Sequence, residues 1–186
     1  MISRLLFVGY LILVFTGGPG CRPKEPQQPA SVGASVDAAR NQVGPVVPVD
    51  QAGLKNLVKE RNGKILFLNI WATWCAPCVE EFPDLIKLAR SYPESQVEVV
   101  GISADYPDEV ESKILPFIRR QNVPFRIYVA KFDHQEDFIN SVDSSWSGAL
   151  PASLVFDARG KQRYFAVGAG TFEIFKRVVD SVRTLR

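Results

Sequence analysis

The sequence predicts an α/β protein, a three-layer α/β/α sandwich with a mixed central sheet, and three observations predict it. From residue 49 onward, strand-like and helix-like patterns alternate along the chain. Two strand-like runs, 64–72 and 97–103, are apolar at most positions, which suits strands buried on both faces beneath covering helices. A hairpin signal and one more helical pattern then close the chain.

Each element has its own local reason. Asp50 is placed to cap a helix carrying Leu54, Leu57 and Val58 on one face, and Asn62-Gly63 stops it. The run 64–72 is the first strong strand. A helix follows over about 76–91, with Phe82, Leu85, Ile86 and Ala89 facing inward. Residues 97–103 give the second buried strand. Ile114, Phe117 and Ile118 mark a helix, 125–129 a short strand, and 137–142 one or two helical turns. Strands at 153–156 and 163–167 flank Asp157-Ala158-Arg159-Gly160, a turn with glycine where a positive φ is needed. Thr171 caps a last helix, whose apolar positions Ile174, Phe175, Val178, Val179 and Val182 recur at helical spacing.

Ahead of this domain, 49–186, lie two segments of different character. Residues 1–20 carry one arginine, an unbroken apolar stretch at 5–15 and a small-residue exit, the pattern of an export signal. As a helix that stretch would reach about 16 Å, roughly half a bilayer's hydrocarbon thickness. Cys21 follows directly, after Gly20, in a context that resembles the lipobox of bacterial lipoproteins, although Gly18 replaces the usual aliphatic residue. The resemblance implies lipidation at Cys21; an uncleaved anchor or an incidental cysteine is the alternative. Residues 21–48 hold five prolines without periodicity and read as a tether.

Composition narrows the chemistry. The 186 residues are 46% hydrophobic and 23% charged with a formal net charge of +2, which excludes wholesale disorder and a basic field for nucleic acid. One histidine, His134, and three cysteines are too few soft ligands for an all-protein zinc site, so no metal is expected. The chemistry concentrates at Trp74-Cys75-Ala76-Pro77-Cys78, where the first strong strand meets its helix. Two thiols across one helical turn can close a small disulfide. Cys75, at the helix N-terminus, has the unpaired amides and helix dipole that stabilise a thiolate. Cys78, one turn in, is placed to resolve a mixed disulfide.

The string Ile70-Trp71-Ala72-Thr73-Trp74-Cys75-Ala76-Pro77-Cys78 resembles the active-site strand and helix start of the thioredoxin family. Pro83 falls where that family's helix kinks, and Leu150-Pro151 before an apolar strand resembles its cis-proline loop. The leader, the tether and Gly101-Ile102-Ser103-Ala104-Asp105 are similar to the TlpA/ResA-like branch, extracytoplasmic thiol-disulfide oxidoreductases held at a membrane. The resemblance implies a thioredoxin-like fold and a protein-disulfide reductase, for example in cytochrome c maturation. The redox-active Cys75–Cys78 disulfide would replace any cofactor. Protein thiol or disulfide substrates and a membrane thiol-reductant donor would be its partners, and the domain would act as a monomer. An oxidant or isomerase, or a copper-delivering module, of the same fold is the alternative reading. Trp74, Ala76, Pro77 and Leu150 become candidate substrate contacts, and Pro151 a catalytic-site residue.

Resolution requires Cys78 to lose its proton, yet Asn69 stands where cytoplasmic thioredoxins carry a buried aspartate. Glu81 lies three residues after Cys78, about 60° around the helix on the same face, whereas Glu80 points roughly 160° away. A glutamate there also resembles the membrane-tethered branch, so Glu81 is the candidate proton carrier, with a pKa raised by apolar neighbours such as Phe82.

Overall fold

The computed structural model describes residues 44–185. The export leader, Cys21 and most of the tether lie outside the described residues.

Among the described residues there are six strands and five α-helices. The strands are β1 (Val47–Val49), β2 (Ile65–Trp71), β3 (Val97–Ser103), β4 (Arg126–Ala130), β5 (Ala152–Phe156) and β6 (Gln162–Val167). The helices are α1 (Gln51–Lys59), α2 (Ala76–Ser91), α3 (Leu115–Arg120), α4 (Gln135–Val142) and α5 (Phe172–Arg183). The sheet order is β1-β4-β3-β2-β5-β6. The first four of these lie parallel, β5 runs antiparallel to its neighbour β2, and β6, antiparallel to β5, returns to the direction of the first four, so the sheet is mixed. This is the thioredoxin-like sandwich that the sequence predicts.

Local chemistry sets most element boundaries. Asp50 caps α1, accepting the Gly53 amide at 2.8 Å. Asn62 and Gly63 adopt φ of 48° and 81°, the left-handed turn that stops it. Gly160 takes φ 76°, and an added Cβ would sit 2.6 Å from the Val58 carbonyl oxygen, so the turn needs glycine twice over.

Four details depart from the local reading. The sheet begins before residue 49: Val47 and Pro48, the last two residues of the expected tether, join Val49 in a parallel edge strand beside β4. Three residues containing a proline carry no strand signal of their own. The helix expected around Ile114 begins as a 3₁₀ turn (Pro107–Glu109) and a π-helical turn (Val110–Ile114) before it becomes α3. Pro116 has no N–H to give and crowds the carbonyl one turn back, and the Leu115 amide reaches past to Val110 O instead. Thr171 occupies the cap position of α5, but its side chain makes no capping bond. Finally, Ile174 is exposed, and Leu88 rather than half-buried Ala89 completes the inner face of α2.

Alternation along β2 divides two cores. Ile65, Phe67 and Trp71 face one apolar layer, with α2, α3 and α5; Leu66, Leu68 and Ile70 face the other, with α1 and α4. All seven β2 residues are buried. Beneath the Cys75–Cys78 turn, Trp71 packs edge-on to Phe82 at 4.5 Å, and Phe117 lies 5.0 Å and 4.7 Å from these two rings. Three elements meet in this aromatic cluster. Phe82→Ala should therefore cost about 3–5 kcal/mol, read as a lower urea midpoint at unchanged slope.

Candidate functional site

The redox turn is built where β2 hands over to α2 within four residues. The handover is held at several points: Ala104 N donates to Trp71 O at 2.7 Å, and Cys75 N to Ala72 O at 3.2 Å. Cys75 is the N-cap of α2, and its sulfur accepts the Cys78 amide at 3.3 Å. Cys75 and Cys78 are joined in a disulfide, with Cα atoms 5.2 Å apart. Their exposures differ: Cys75 keeps 7% of its surface, and Cys78 none. Only one sulfur-bearing residue of the pair therefore meets solvent.

The predicted neighbours fall into two groups. Trp74, Ala76 and Pro77 are exposed around the turn, Trp74 by 65%. Leu150 is half-buried and Pro151 buried, and the bond between them is cis. In the antiparallel pairing Ile70 faces Ala152, so one further step sets Pro151 opposite Trp71, at the end of β2 from which the redox turn departs. Trp146 anchors that loop: it is 4% exposed and donates from Nε1 to the Ala149 carbonyl at 2.9 Å.

Glu81 is 2% exposed on the inner face of α2. Its Oε1 accepts Asn69 Nδ2 at 2.8 Å, and its Oε2 accepts the Gly170 amide at 2.9 Å. Asn69 Nδ2 also reaches Ser153 Oγ at 3.2 Å. Burial pushes the Glu81 carboxyl above its ordinary 4.5, against the lowering effect of those two hydrogen bonds. Asn69 Oδ1 is buried without a donor. Protonating Glu81 and turning the amide over would supply one, so this network can accommodate either protonation state.

Sequence reasoning missed three partners of this site. Asn69 is a direct ligand of Glu81, not only a vacant aspartate position. Gly170, 89 residues away, supplies a backbone amide from a stretch where an added Cβ would meet the Phe175 ring at 2.2 Å. Asp105, 2% exposed, binds Thr73 two residues before Cys75. In the sequence Asn69 stands out only as the vacant aspartate position, the Gly101-Ile102-Ser103-Ala104-Asp105 string is the local signal for Asp105, and Gly170 has none.

Comparison with known proteins agrees with this geometry. The AhpC/TSA family model matches residues 44–165. The thiol-disulfide oxidoreductase ResA of Bacillus cereus is 30% identical over 176 residues, covering 92% of either chain. A thioredoxin-family thiol:disulfide interchange protein from Chlorobium tepidum has a TM-score of 0.56 at 24% identity, over 66% of this chain and 82% of its own. A thioredoxin-related protein from Neisseria meningitidis gives the same TM-score and identity, over 66% of this chain and 87% of its own.

The raised Glu81 pKa has a consequence for stability. A carboxyl whose folded pKa exceeds its unfolded value stabilises the fold most when protonated. That stability is fully present below about 4.5 and is lost as pH rises through the raised value. Glu81→Gln cannot ionise there. Urea unfolding over a pH series should show the wild type losing stability relative to Glu81→Gln as pH increases from 4. Parallel stability curves would mean that the Glu81 pKa is ordinary.

Proposed function

The chain belongs to the AhpC/TSA family and is a thiol-disulfide oxidoreductase of the ResA type, and on that premise we propose that it is a membrane-tethered, extracytoplasmic reductant of protein disulfides. The observation that carries this reading is the disulfide at the N-terminus of α2, of which only Cys75 meets solvent.

In the dithiol form, the Cys75 thiolate attacks one sulfur of a substrate disulfide. A mixed disulfide forms, and the substrate's other sulfur leaves as a thiolate and takes up a proton. Cys78 then loses its proton and attacks the Cys75 sulfur. The substrate's second thiolate departs, and the Cys75–Cys78 disulfide closes. Two electrons have passed to the substrate, and a membrane thiol-reductant must return them. Glu81, one turn beyond Cys78 on the buried face of α2, is the group we assign to take the Cys78 proton; its raised pKa suits exchange with a thiol. Trp74, Ala76 and Pro77, with Leu150 and the cis-Pro151 loop, offer the surface on which a polypeptide substrate would rest.

The Ala76-Pro77 dipeptide favours a reductant over an oxidant, because it offers no histidine to stabilise the reduced thiolate. Apocytochrome c cysteines are the substrate class that the resemblance suggests. Among the described residues no helix is long and apolar enough to cross a membrane. The proposed tether therefore rests on the N-terminal sequence: the apolar leader, then Cys21 as lipid acceptor.

Cys78→Ser should accumulate mixed disulfides with envelope proteins on non-reducing gels, and Cys75→Ser should accumulate none. Trapping by Cys75→Ser instead would reverse the two assignments. In the same assay on a model disulfide peptide, Glu81→Gln should slow turnover and change its pH profile, and Glu80→Gln should do neither.

A clickable fatty acid should label the wild-type chain and not Cys21→Ser. An unlabelled wild type would remove the lipid tether.

A further inference from the structure

Two carboxylates are buried around the redox turn, and the exchange cycle uses only Glu81. Asp105 lies just past the end of β3, and each of its oxygens is occupied. Oδ2 accepts the Thr73 amide at 2.9 Å and the Ser103 hydroxyl, and Oδ1 accepts the Thr73 hydroxyl at 2.6 Å. Its own amide donates to Ser103 Oγ at 3.1 Å, which fixes the carboxylate in place. It makes no hydrogen bond to either sulfur. We infer that Asp105 is a positioning residue for the nucleophile, clamping the loop 72–75 through both polar groups of Thr73.

The reason lies in how little else holds that loop. Four residues separate the last strand residue, Trp71, from the first helical residue, Ala76. Trp74 is largely in solvent and anchors nothing. Cys75 is tied back to Ala72 through its amide and onward to α2 through its carbonyl, its sulfur and the disulfide, but none of these bonds reaches a neighbouring strand. Thr73 is thus the one side chain that fastens the turn to a neighbouring strand, and Asp105 is what it fastens to. The β2–β3 register, which pairs Trp71 with Ser103, brings the two loops side by side.

The clamp bears on exchange because Cys75 must hold one pose for two purposes. Its sulfur has to face the first-turn amides, as it does toward Cys78 N, and also remain open to an incoming disulfide. A loop free to rotate would lose both. A second consequence follows for Thr73: its hydroxyl is engaged by a buried carboxylate.

The test compares four variants of the full-length chain, and reads kcat and KM for a disulfide peptide and the ratio of Cys75 to Cys78 alkylation in the reduced protein. Asp105→Ala should lower kcat about tenfold or more with KM little changed, and should reduce the alkylation ratio. Thr73→Val removes the hydroxyl bond but leaves the amide bond and the charge, and should fall between Asp105→Ala and wild type. Thr73→Ser restores the hydroxyl. Asp105→Asn keeps an acceptor for the amide and turns a donor toward the hydroxyl, so both should recover most of the loss.

If Thr73→Val keeps wild-type kcat and alkylation ratio while only its urea midpoint falls, Asp105 is structural and the inference is overturned. It is equally overturned if Asp105→Asn is as impaired as Asp105→Ala, since charge and not the clamp would then matter. The inference rests on Cys75 being the nucleophile. That premise fails separately, if Cys78 alkylates first in the wild type.

Discussion

The structure depends on one constraint: a fully buried strand must turn into a helix within four residues, with a cysteine at the turn. Because β2 is covered on both faces, its C-terminal end cannot shift without moving both cores. Because Cys75 is itself the N-cap, the sulfur stands where the first-turn amides have no carbonyl partners. Packing fixes the strand, the strand fixes the turn, and the turn places the thiolate-stabilising amides. The Trp71, Phe82 and Phe117 cluster couples these elements under the disulfide.

Polar burial around that turn is selective. Of the carboxylates among the described residues, Glu81 and Asp105 are each 2% exposed, and they serve differently. Asp105 sits among three donated hydrogen bonds, which make a fixed anchor. Glu81 has two donors, a desolvated carboxyl and an adjacent amide oxygen without a partner. A buried acid with an unfilled acceptor beside it is suited to gaining and losing a proton. These two acids beside the turn thus divide the work of holding it and servicing it.

The approach to the disulfide comes from chain segments far apart in sequence. The turn itself brings Trp74, Ala76 and Pro77, and the start of β5 brings Leu150 and cis-Pro151 from the antiparallel side. Trp146, held against Phe138 at 5.7 Å between ring centroids, secures that second contribution through the Ala149 carbonyl. A site assembled in this way can vary its rim without disturbing the amides and sulfurs at its centre.

What the sequence by itself determined is what short-range physics controls. The capping Asp50, the Asn62-Gly63 stop, the limits of α2 and β3 and the placement of two cysteines across a first helical turn all follow from neighbours within a few residues. So does the position of Glu81 on the face of Cys78, since 3.6 residues per turn is a local rule. Only the tertiary structure decided the rest. β1 is a strand because β4 offers an open edge to Val47–Val49, whose own composition does not specify one. The π-helical turn before α3 reflects Pro116 within a packed layer. The partners that give the buried acids their roles come from 32 residues away for Asp105 and Thr73, and 89 for Glu81 and Gly170. A hydrogen bond across such distances depends on strand order and register, which no local pattern in the chain encodes.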